Sequence, residues 1–253
     1  MSRTGRCTND TVVCFLCLIL TGFILCAGCI GTEEKKELLA QGDAYFADGK
    51  YIQALSKYQA AIQEDPNNAV AYLKEGMALF ALVRYEDAIT SFTAAIRVNP
   101  SFAEAWYRKG RTSYMMGNYD EAVRSFYKAL ELDQTNPDYW YYRGIALTDR
   151  GQHDSALDHF NNALLLDPFH ELSWNGKAKA LMRQNKNDEA LDAIDRAIDI
   201  NPGNAQHWID KAHILEKAYL PEQAEIAYEE ANLLLKKQEK EITRRFPLSS
   251  RQA

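Results

Sequence analysis

The chain of 253 residues has no cysteine beyond Cys29, no tryptophan before Trp106 and no proline before Pro66. The first gap leaves the bulk of the protein without a disulfide and without the thiolates of a structural zinc site. An excess of positive charge is also missing. The formal net charge is −6 and the isoelectric point is near 5.5, so the basic footprint of a nucleic-acid binder is absent. The chain contains no HExxH pair, no GxSxG elbow and no phosphate-cradling glycine loop. Its five histidines (His153, His159, His170, His207, His213) are scattered, and His153 and His159, six apart, cannot share a helix face. These gaps point away from an enzyme and imply no cofactor. No N-glycosylation sequon follows Cys29. What remains is a chain 47% hydrophobic and 25% charged, enough apolar material for a substantial core.

All five cysteines crowd into the first 29 residues, within and around an apolar run over 11–28 that follows Arg3 and Arg6. A positive start, an apolar stretch and small residues at its end form a secretory signal, and the run borders on the length of a membrane-spanning helix. The positive-inside bias keeps the N-terminus cytoplasmic and places the rest outside. Cys7, Cys14, Cys17 and Cys26 read as small hydrophobes in this run. The end of the run, Leu25-Cys26-Ala27-Gly28-Cys29, resembles the lipobox of prokaryotic lipoproteins. That resemblance implies cleavage before Cys29 and its lipidation, although Cys26 stands where the family carries an aliphatic residue. An uncleaved anchor helix and release after cleavage are the other two fates. Residues 30–34 would then be a short linker, holding the folded part against the membrane of a prokaryotic envelope.

Beyond the anchor the chain repeats itself every 34 residues. Trp106, Trp140, Trp174 and Trp208 follow this period, as do Gly42, Gly76, Gly110 and Gly144, continued by Ala178 and Ala212. Three more series run through all six units: Ala54 to Ala224, Ala61 to Ala231, and Tyr58, Phe92, Phe126, Phe160, Ile194 and Tyr228. Pro66, Pro100, Pro168 and Pro202 close four units; the third has Gln134 there and Pro137 three residues on. Within a unit, two stretches with apolar spacings of three and four flank a turn such as Met116-Gly117-Asn118, which predicts a pair of helices. The small residues let paired helices approach, and the tryptophan and phenylalanine series are expected to fill the space between them. The prolines stop the second helix.

This pattern resembles the tetratricopeptide repeat (TPR). The resemblance implies an all-α, right-handed solenoid of six helix-turn-helix units: 35–68, 69–102, 103–136, 137–170, 171–204 and 205–238. A single pair cannot bury its apolar face alone, so stacking builds one core and the end units must differ. The first unit has Leu38 in the tryptophan position and the last lacks the closing proline. From Leu233 to Phe246 the chain predicts an extended last helix that caps the open end, or alternatively binds a partner; residues 239–253 form its end and a tail.

In TPR proteins the first helix of each unit lines a concave groove that holds a protein or peptide partner. Carried onto this sequence, the groove positions are Leu73, Lys74, Met77 and Phe80 in the second unit, and Tyr107, Arg108, Arg111, Tyr114 and Met115 in the third. The fourth adds Tyr141, Tyr142 and Ile145; the fifth adds Asn175, Lys179, Met182 and Arg183; the last adds Asp210, His213 and Glu216. Tyrosine and arginine dominate interface energies, and Arg108 and Arg111 would meet acidic groups. Some family members clamp a C-terminal carboxylate; here Leu39 and Asp43 break that pattern. The expected function is a membrane-anchored scaffold or adaptor, with envelope glycan or a small ligand in the same groove as the alternative.

Overall fold

The computed structural model describes residues 27–245, and among these every regular element is an α-helix. Twelve helices form six antiparallel pairs: α1 Ala27–Ala47 with α2 Tyr51–Glu64, α3 Ala69–Ala81 with α4 Tyr85–Val98, α5 Ala103–Met115 with α6 Tyr119–Leu132, α7 Pro137–Asp149 with α8 His153–Leu166, α9 Glu171–Arg183 with α10 Asn187–Ile200, and α11 Ala205–Lys217 with α12 Pro221–Arg245. Residues 1–26, which hold all but the last two positions of the apolar run over 11–28, and the tail from residue 246 lie outside the described residues. No helix among the described residues is long and apolar enough to cross a membrane. The stretch 30–34, expected as an extended linker, belongs to α1, which starts at Ala27 and runs through Cys29. Its rise is therefore about 1.5 Å per residue rather than about 3.5 Å.

Each pair closes through the same turn. The second residue after the first helix takes a left-handed conformation at Gly49, Val83, Gly117, Gly151, Asn185 and Tyr219, again 34 apart. The next amide then donates back five residues, as from Asn118 to the Ser113 carbonyl at 2.9 Å, and this consumes a carbonyl the helix end would leave unpaired. Successive units join through a second turn, in which Asp65, Asn99, Asp133 or Asp167 accepts from the amide two residues on. Asn68, Asn136 and Asn204 then cap the following helix.

The core lies where the expected large and small series meet. Tyr58, Phe92, Phe126, Phe160 and Ile194 are at most 2% exposed. A Cβ added at Gly110 would fall 2.7 Å from Phe126 Cε1, and one at Gly144 would fall 2.7 Å from Phe160 Cε1. Glycine at these positions is thus a condition for the aromatic ring opposite.

The tryptophans depart from expectation. They do not fill the interior; each is half-buried and donates its indole N–H to the carbonyl six residues earlier, at Pro100, Gln134, Pro168 or Pro202. An indole N–H needs a polar partner, and the inter-unit turn supplies one at fixed distance. The ring therefore fastens each helix to the turn that precedes it, with its outer face covered by Lys109, Lys177 or Lys211 in three of the four cases.

Candidate functional site

Helices pack chiefly on their neighbours in the chain, but α3, α5, α7, α9 and α11 also touch one another in succession. These first helices form the inner layer, so their free faces are the walls of the groove.

The structure sorts the expected groove residues into three groups. Leu73 and Tyr107 are 8% and 5% exposed and belong to the core, which corrects their expected place as open groove positions. Tyr107 is covered because the next unit slides across it: Tyr139 and Tyr142 lie 4.8 and 5.5 Å away, ring centre to ring centre. Burial holds the Tyr107 phenol well above the usual tyrosine range, against the pull of Arg111.

A second group is half-buried and already partnered. Arg108 donates to Glu104 at 2.6 Å, and Glu104 also accepts from the Tyr139 hydroxyl. Tyr114 donates to Asp149 at 2.6 Å. Tyr141 packs edge-on against Tyr142 and His170. Lys179 pairs with Asp210 at 2.8 Å, and Lys74 with Asp43 at 2.7 Å.

The third group remains open for a ligand. Phe46, Met77, Phe80, Ala81 and Phe92 wall an apolar pocket between the first three units, with Thr112 at its side and Arg108 and Arg111 at its rim. Arg111 makes no ion pair among the described residues. Its guanidinium lies against Tyr142, Tyr107 and Phe80 at 4.8, 5.7 and 5.9 Å from the ring centres. Three rings hold the group flat while its N–H donors stay available, an arrangement suited to a carboxylate.

The far end of the inner layer has a different chemistry, and Asn175 and Asp210, expected there as open groove positions, are each only 7% exposed. His207, 2% exposed, contacts Glu171 at 2.7 Å through Nε2, and Asn175 donates to Asp210 at 2.6 Å. Asn201 and Asn204 both donate to Glu171. Burial raises the Glu171 pKa, but these donors together outweigh it and hold the carboxyl below its usual range. The polar Asn175 in a position that holds Leu73, Tyr107 and Tyr141 elsewhere was the available signal. No cluster of three or more His, Cys, Asp or Glu able to hold a metal occurs among the described residues.

Comparison with known proteins bears on the fold. Solved structures with the same architecture include MamA (23% identity, TM-score 0.61, covering 69% of this chain and 96% of that one). YrrB, described as a TPR protein with an unusual peptide-binding site, is similar at 24% identity and TM-score 0.57, covering 70% of this chain and 91% of that one. A TPR protein from Parabacteroides merdae ATCC 43184 aligns at 15% identity and TM-score 0.71, covering 79% and 80%. No curated protein sequence matches. The tetratricopeptide repeat family model matches residues 73–137, 114–171, 141–205 and 175–231, and a second TPR repeat model matches 42–83. With its 34-residue period, six helix pairs and family-model matches over most of its length, the chain belongs to the tetratricopeptide repeat family.

Proposed function

We propose that the protein is a membrane-anchored scaffold that holds an extended or helical segment of a protein partner along its inner helices. The segment carries an apolar side chain for the pocket of Phe46, Met77, Phe80 and Phe92, and a carboxylate beside it for Arg111. The observation that carries this reading is the unpaired, ring-held Arg111 at the rim of an apolar pocket. A partly desolvated guanidinium that makes no close ion pair, and reaches the Asp138 carboxylate only through space, can anchor a carboxylate supplied by a ligand. YrrB, alike in fold, is described as binding peptide. Anchoring rests on the lipobox-like ending at Cys29 and would keep the groove near the membrane surface. Glycan is less well served: stacking needs free ring faces, and Tyr107, Tyr141 and Tyr142 spend theirs on one another and on Arg111.

The test is site-specific photo-crosslinking in membranes. A photo-reactive side chain at Phe80 should capture a defined protein that the same probe at Tyr127, on a second helix, does not. Capture should fall at least about tenfold in Arg111→Glu, since a reversed charge costs a buried ionic contact well over 1.4 kcal/mol. Equal capture from both probe positions, or indifference to Arg111→Glu, would refute the groove assignment.

A further inference from the structure

The last helix carries a second, unrelated surface. α12 is 25 residues long, and Ala224, Ala227 and Ala231 bury its inner face. On the opposite side Ile226 and Leu233 stand 60% and 63% exposed. With Glu229, Lys236 and Lys240 they form a stripe at alternating steps of three and four residues, the spacing of a coiled-coil seam.

The charges around the stripe are divided along the helix. Its first half carries Glu222, Glu225, Glu229 and Glu230 and no base; its second half is mainly basic, with Lys236, Lys237, Lys240 and Arg244 against Glu239 and Glu241. All ten are exposed, and none makes an ion pair among the described residues. The helix dipole favours acid at the start and base at the end, but only within the first and last turns. It gives no reason for Glu229 and Glu230 to stand beside Lys236 and Lys237 at mid-helix. A cap that merely keeps the end of the solenoid soluble would not need Ile226 and Leu233 exposed on the same line.

We propose that this stripe is the interface with a second copy of the chain, the two α12 helices running antiparallel about a two-fold axis at Leu233. In that register Leu233 meets its own copy, Glu230 faces Lys236, Glu229 faces Lys237 and Glu222 faces Arg244, and each pairing occurs twice; Ile226 lies against the stem of Lys240, and Glu225 facing Glu241 is the one like-charge pair among these positions. Opposite charges thus outnumber like charges across the axis, as a two-fold interface between copies favours. A parallel pair would set glutamate against glutamate and lysine against lysine. An anionic lipid surface would match only the basic half and leave four glutamates facing the membrane. The contact spans about 35 Å of helix. It leaves the groove free, so a dimer presents two grooves per assembly.

The test uses the full chain in a non-ionic detergent, with mass by sedimentation velocity and helicity by circular dichroism. Wild type is expected to be dimeric. Glu229→Lys with Glu230→Lys makes the mid-helix wholly positive, and Lys236→Glu with Lys237→Glu makes it wholly negative. Each double variant alone should be monomeric with unchanged helicity, and an equimolar mixture of the two should dimerise. Raising salt to about 1 M, where screening acts over about 3 Å, should weaken the mixed dimer. A monomeric wild type, variants that still self-associate, or a mixture that stays monomeric overturns the proposal. So does a chain that binds anionic vesicles through Lys236 and Lys237 without associating with itself.

Discussion

Replacing Gly110 by alanine tests the packing rule on which the solenoid rests. The new Cβ would sit 2.7 and 2.8 Å from Cε1 and Cδ1 of Phe126, well inside contact distance. Phe126 has no room to retreat: it is 0% exposed, with Tyr107 and Tyr142 at 6.1 and 6.0 Å between ring centres. Overpacking of this kind costs about 1–3 kcal/mol. Alanine returns about 1 kcal/mol of helix propensity. The net expectation is a loss of up to about 2 kcal/mol in urea unfolding, followed by circular dichroism and by fluorescence of the flanking Trp106 and Trp140. The fifth unit already contains the answer to the clash, since Ala178 there accompanies Ile194 in place of phenylalanine. Phe126→Ile should therefore rescue Gly110→Ala. The double variant should be more stable than the sum of the single changes by roughly 1 kcal/mol or more, well above the few tenths expected of independent sites. A Gly110→Ala protein stabilised by its helix propensity, or strictly additive changes, would refute the reasoning.

Two further outcomes follow from the same structure. Val83 holds φ at 62°, a left-handed conformation that glycine or asparagine occupies in four of the six equivalent turns, and its side chain is 66% exposed. Val83→Gly should raise stability by about 0.5–1 kcal/mol, the relief of backbone strain less the added freedom of the unfolded chain, read as a higher urea midpoint. On the alkaline side, burial holds the phenols of Tyr58, Tyr107, Tyr114, Tyr139 and Tyr141 above the ordinary value of 10.0. A raised native pKa contributes stability that is complete below pH 10 and is lost as pH climbs toward the native value. Phenolate absorbance of these residues should thus appear together with loss of helix above pH 10; phenolate forming at pH 10 with helicity intact would contradict the burial.

The period of 34 made the fold legible, because glycine, alanine and phenylalanine series each answer one packing demand that recurs in every unit. The candidate site was legible only in part. Met77, Phe80 and Arg111 line the pocket, whereas Tyr107 and Leu73 lie beneath the next unit. The offset between successive units decides which side chains at one repeat position stay open, and that offset is a property of stacked pairs rather than of any residue. The tryptophans were misread for a related reason: hydrophobic size suggested the interior, but the indole N–H required the turn carbonyl. The linkage of His207 to Glu171 joins residues 36 apart, one repeat plus two, and no local pattern announces it.

Packing confined to adjacent units has a mechanical corollary. Among the described residues the two ends share no packing, so the pitch there is fixed by five junctions between units in series. A small rotation at each adds to the next, and the whole behaves as a spring whose compliance grows with its length. A segment drawn along the inner helices would then wind or unwind the coil, and tension applied at either end would alter the spacing of the side chains along its inner face.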